Sequence, residues 1–182
     1  MDVLSDVLKT VRLTGAVFFD VDFTAPWVAE TPPGAAIASN VMPEAEHIIM
    51  FHAITSGEGW AELLDNSTPP FRLAAGDIIV LPMSDAHVLC STPGMRATPD
   101  LAMYRRPTDR HLPIYIEKGD GGGEQTHFVC GYLGCDARPF NPVLQGLPRL
   151  LHARGSDGVG SIAELFRLAI NETATRRTGS ET

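Results

Sequence analysis

Residues 76–87 read Gly76-Asp77-Ile78-Ile79-Val80-Leu81-Pro82-Met83-Ser84-Asp85-Ala86-His87. A glycine-aspartate turn opens an aliphatic run, a proline closes it, and a histidine begins the next run five residues after the proline. Glycine admits the left-handed turn conformation, and proline cannot donate to a sheet ladder, so both ends of the strand are punctuated. Upstream, Phe51-His52-Ala53-Ile54-Thr55-Ser56-Gly57 places a second histidine on a strand just before a glycine turn. Further strand-like runs lie at 16–23, 47–55, 59–64, 71–74, 77–81 and 86–90. Ser56-Gly57, Asp65-Asn66, Pro69-Pro70, Ala75-Gly76-Asp77 and Ser84-Asp85 separate them. Short strands at this spacing predict a mainly β chain built as an antiparallel sandwich or barrel.

The flanks read differently. Leu4, Val7, Leu8 and Val11 recur at helical spacing, which predicts a helix over 2–12. Between 91 and 125, Pro93-Gly94, Pro99, Pro107 and Pro113 interrupt the pattern, and Gly119–Gly123 reads as a loop. One short strand is expected at Pro113–Glu117 and another at Thr126–Leu133. Beyond Pro139 the chain turns helical. Ser161-Ile162-Ala163-Glu164 is a capping box opening a helix that runs to about Arg176. Residues 1–182 therefore read as a single domain, with a barrel at about 16–135 and helical segments at about 140–176.

The chain has 182 residues, 44% apolar and 20% charged, enough for one globular domain with its own core. Its net charge of −8 opposes binding to phosphate backbones, so duplex DNA is not an expected partner of this chain alone. No apolar run approaches the ~20 residues needed to cross a bilayer. The acidic start, Met1-Asp2-Val3-Leu4-Ser5-Asp6, has no signal-peptide architecture, so a cytoplasmic location is expected. In that compartment Cys90, Cys130 and Cys135 are thiols or metal ligands rather than a disulfide framework. There is no Gly-x-Ser-x-Gly elbow, no phosphate loop and no Cys-x-x-Cys, which argues against hydrolase, nucleotide and thioredoxin-like chemistry.

The set formed by 7–19, Phe51-His52, Gly76 to Leu89, Cys130-Gly131-Tyr132 and Asn141-Pro142 resembles the cupin-like sensor domain at the N-terminus of AraC-type transcriptional regulators. The resemblance covers nearly the whole chain. It implies a cupin-type antiparallel jelly-roll barrel with a small cavity and helices at both ends. Catalytic cupins usually carry a His-x-His…Glu cluster before the first glycine turn. Here that cluster would fall near Glu44, Glu46 and Met50; there is no His-x-His, and His47 is out of phase. His87 occupies the second-motif ligand position, and His52 has the parity to face the barrel interior.

Cys130 and Cys135 flank Gly131-Tyr132-Leu133-Gly134. Five residues apart in a regular strand they face opposite ways, but the two glycines permit a bulge that would turn both sulfurs inward. The reading that follows is a closed zinc site of His52, His87, Cys130 and Cys135, structural or sensory in kind. The plainer alternatives are buried, hydrogen-bonded histidines and cysteines packed as small hydrophobes. His127 is a substitute ligand. Cys90 reads as core filler, His47, His111 and His152 as surface residues, and Trp60 as a barrel-packing residue.

The resemblance implies a regulatory domain that senses a small-molecule effector or a metal. Contact with DNA would come only through a helix-turn-helix half that is missing here, and a homodimer would use helices 2–12 and 160–176. The alternative is a small cupin metalloenzyme, of dioxygenase or isomerase type.

Overall fold

The computed structural model describes residues 13–104, 113–119, 122–135 and 146–157. Among the described residues, ten strands and one α-helix follow in the order β1 Leu13–Thr24, β2 Val28–Thr31, α1 Gly34–Val41, β3 His47–Ser56, β4 Glu58–Leu63 and β5 Phe71–Ala74. Then come β6 Ile78–Leu81, β7 His87–Cys90, β8 Ile114–Lys118, β9 Gln125–Cys135 and β10 Leu151–Ala153. The mainly β expectation holds, and every strand expected from the alternation is present within a few residues. The helices expected at 2–12 and 160–176 lie outside the described residues. Within the stretch expected to be helical, 151–153 is instead a strand, β10, paired antiparallel with β6.

The strands form a six-stranded sheet in the order β10-β6-β3-β9-β1-β8 and a four-stranded sheet in the order β2-β7-β4-β5. Among the described residues the ladders stay open and do not close into a barrel. The expected purely antiparallel pattern also fails at one edge, where β8 runs parallel to β1 from Phe19↔Ile114 to Phe23↔Lys118. A parallel neighbour needs a long crossover, and some ninety residues of chain separate the two strands here.

Alternation along β1, β3 and β9 sets the core. Val17, Phe19, Val21 and Phe23 of β1, Met50 and Ile54 of β3 and Phe128 and Tyr132 of β9 face inward. They meet Ala61, Leu63, Leu73 and Leu89 from the second sheet, while Ile37 and Val41, one helical turn apart on α1, cover one end. The opposite residues of the large sheet, Phe51, Ala53, Ile78 and Val129, form a separate buried cluster on its outer face.

The glycine-aspartate turn is built as read. Gly76 has φ of +95°, a left-handed conformation. Asp77 accepts the N–H of Ala74 at 3.1 Å and of Gly155 at 2.9 Å, and its Oδ2 lies 3.1 Å from His152 Nε2. Burial works to raise its carboxyl, but the Gly155 and Ala74 amides and His152 hold it below the usual range. His152, expected at the surface, is therefore half-buried, pairing with Asp77 and stacking on Phe71 at 5.0 Å.

Candidate ligand-binding site

His52 sits in mid-β3, directly opposite Cys130 on β9 and Ile79 on β6. Opposed residues on one face of an antiparallel pair have close Cβ atoms, so the imidazole and the thiol meet: His52 Nδ1 lies 2.8 Å from Cys130 Sγ. His87 opens β7 in the other sheet. The turn before it is held by Ser84, at a φ of +53°, whose hydroxyl donates to the Ile48 carbonyl. From there the His87 ring reaches across the gap between the sheets, and its Nε2 lies 2.9 Å from His52 Nε2. The ring centroids are 4.9 Å apart at 63°.

Proton positions along this chain follow from its far end. His87 Nδ1 is 2.8 Å from the Asp85 carbonyl, which can only accept. His87 therefore carries its proton on Nδ1, and its Nε2 is bare. His52 must donate from Nε2, which leaves its Nδ1 to accept from the Cys130 thiol. Three protons serve three links, and every member is neutral. Burial supports the same assignment. It pushes the His87 imidazole down to about 4 against the Asp85 carbonyl, which favours the charged form. It pushes His52 well below the ordinary range, with neighbouring His87 adding to the effect. Burial also drives the Cys130 thiol far up, with Asp20 contributing.

This chain ends on a cavity of about 70 Å³ between the sheets. Phe19, Val21, Phe23, Leu89, Ile116, Phe128 and Met103 supply most of its wall, with Ala29 and Gly131. The polar members are Thr31, His52, Tyr104, Cys130 and Tyr132. Burial raises the phenols of Tyr104 and Tyr132, and Tyr104 hydrogen-bonds to Thr31. Tyr104 and Met103 come from a short 3-10 turn, Leu101–Tyr104, which flanks the cavity.

A family model described as Cupin matches residues 2–182. This chain belongs to the cupin family. It is the family of the N-terminal cupin domains of AraC-type regulators. No curated protein matches the chain. Among solved structures, this cupin is similar to unsaturated fatty acid bound wild-type ToxT from Vibrio cholerae strain SCE256, at 9% identity and a TM-score of 0.44. That match covers 85% of this chain and 46% of the other. ToxT from Vibrio cholerae O395 matches at 11% identity and a TM-score of 0.41, over 92% of this chain and 48% of the other. The cupin thus spans just under half the length of these structures.

Of the four residues read as a zinc set, the structure brings together His52, His87 and Cys130 and leaves out Cys135. Strand β9 runs unbroken through 125–135. The register shifts lie in its partners instead, between Leu13 and Gly15 of β1 and between Ile54 and Ser56 of β3. Cys135 therefore keeps its opposite parity and packs with Ile49 on the outer face. Gly131 does not turn a sulfur inward; a Cβ there would lie 2.8 Å from the Phe51 ring, for which it makes room. The remaining three do not converge either. His52 offers Nδ1 to Cys130 and Nε2 to His87, opposite edges of one ring, whereas a single ion takes one nitrogen per imidazole at about 2.0–2.1 Å. Among the described residues no group of three His, Cys, Asp or Glu is arranged to hold a metal. The Cys2His2 zinc site does not fit this arrangement.

The other candidates fall elsewhere. His127 is on the outer face, bonded to Asp20 through Nε2 and to Thr55 through Nδ1. Cys90 is buried, as expected of a filler. His47 bonds to the Pro82 carbonyl at 2.6 Å, and His111 lies outside the described residues. Trp27, at 4% exposure, fills the core against Phe23 and Phe128, whereas Trp60 is only half-buried. Sequence reasoning missed Thr31, Met103 and Tyr104. Leu101-Ala102-Met103-Tyr104, an apolar cluster among breakers, was the signal that could have found the last two.

Proposed function

We propose that this cupin domain is the effector-sensing part of an AraC-type regulator, that its two sheets are the halves of a jelly roll, and that a small molecule binds between them. The observation that carries the reading is the cavity: a mostly apolar pocket in the core of a cupin, with Thr31, His52, Tyr104, Cys130 and Tyr132 as its polar lining residues. Such concave, mostly apolar sites with convergent polar atoms are the usual form of small-molecule pockets. Binding there would act on the 101–104 turn, which lines the site, and through it on α1, which packs against that turn, and so on any domain or second copy docked nearby. DNA contact belongs to a further domain in this proposal. A metalloenzyme would need three ligands and an open position, and the His52–His87 pair supplies two imidazole edges already bonded to each other.

The test is a compound screen by thermal unfolding of the wild-type protein and of Ile116→Trp, which places bulk at the cavity wall on edge strand β8. A ligand that binds only the folded state raises Tm by mass action. At least one compound should raise Tm in the wild type and not in the variant. Compounds that act equally on both would place the site elsewhere.

A further inference from the structure

Among the described residues the cavity described above has mostly apolar walls and no formal charge. None of the described side chains around it is a lysine, arginine, aspartate or glutamate. Among the described lining residues the one group able to become a cation at moderate pH is His52, and both of that ring's nitrogens are already engaged, with Cys130 and with His87. A carboxylate entering would lose its hydration and find no counter-charge among the described side chains. Burying an unpaired charge is strongly unfavourable even after relaxation. A hydroxyl or carbonyl, by contrast, needs one partner, and Tyr104 and Cys130 both line the space and lie close enough to interact electrostatically.

We propose that the cavity takes a small uncharged molecule, apolar along most of its length with a single hydroxyl or carbonyl set against Cys130 and Tyr104, and that it rejects carboxylates. Size points the same way. The space is about 70 Å³, roughly half of the ~150 Å³ that accommodates benzene in an engineered cavity. It suits a ligand of only a few heavy atoms. Burial agrees with the neutral character, since it disfavours the charged forms of His52 and Tyr132.

The inference rests on the cavity reading above, and the experiment separates the two. Amide NMR spectra of the protein are titrated at neutral pH with butanol and, separately, with butyrate, which share a chain and differ in charge. Butanol is expected to shift the amides of Cys130 and Gly131 in the wild type and not in Ile116→Trp. Butyrate is expected to bind at least about tenfold more weakly, the least that an unpaired buried charge should cost. Butyrate binding as well as butanol at the same amides would overturn the neutral-ligand inference and leave the cavity as the site. If neither moved those amides, the cavity reading would fall and this inference with it.

Discussion

An ordinary imidazole titrates near 6.5, whereas burial holds His87 at about 4 and His52 well below its usual value. Between those limits the unfolded chain takes up protons that the folded chain refuses. Stability from these groups is therefore complete above about pH 6.5 and is lost as pH falls toward about 4. At about 1.4 kcal/mol per pH unit, His87 alone accounts for about 3 kcal/mol. Urea midpoints measured from pH 7 to pH 4 should fall, and a His52→Phe, His87→Leu double variant should flatten the profile. An equally steep fall in the double variant would assign the protons to other groups. The thiol link is tested separately. Cys130→Ala leaves His52 Nδ1 as a buried acceptor without a donor and should cost about 1–3 kcal/mol, with Cys130→Ser costing less. Equal stability of the alanine variant and the wild type would mean that the thiol donates nothing. Elemental analysis of protein purified without chelator should find zinc well below one per chain, since the four donors do not meet; one zinc per chain would contradict the geometry.

At the scale of elements, strand β9 shows what glycine does here. A Cβ on Gly131 would lie 2.5 Å from the Val17 carbonyl oxygen and 2.8 Å from the Phe51 ring. Gly131→Ala must push β1 or Phe51 aside and should cost about 1–3 kcal/mol, as overpacking usually does, read from the unfolding midpoint. A neutral result would mean that the sheet yields freely. The strand itself was legible because its alternation is strong, and the odd Cys130–Cys135 spacing already gave the opposite parity that the structure has. The expected bulge went wrong because glycine in a strand signals either a bend or a close approach, and the sequence does not say which. Strands β2 and β10, of four and three residues, are too short to show a period. Helix α1 begins after Pro33 with no side-chain cap, so its start carries no signal. His52 and His87 were legible from parity and from the turn before His87. Thr31 and Tyr104 were not, because only tertiary packing brings β2 and the 101–104 turn to the same space.

For the molecule as a whole, stability comes from the two sheets closing over one apolar layer. Leu73 on β5 is fully buried in that layer. Leu73→Ala should cost about 2–5 kcal/mol, lowering the urea midpoint without altering the slope. A cost below about 1 kcal/mol would mean that the smaller sheet is not part of the same core. With a net charge of −8, the chain should give no sequence-specific shift of duplex DNA at ordinary salt, and sub-micromolar binding would place a nucleic-acid surface on this domain. The central claim is that the space beside Cys130 is an apolar, ligand-accepting cavity. Diffraction from crystals pressurised with xenon, which prefers dry apolar cavities over polar ones, tests it most directly. The account predicts a xenon atom between Phe19, Phe128 and Cys130. Ordered water filling that space, with xenon bound only elsewhere, would contradict it.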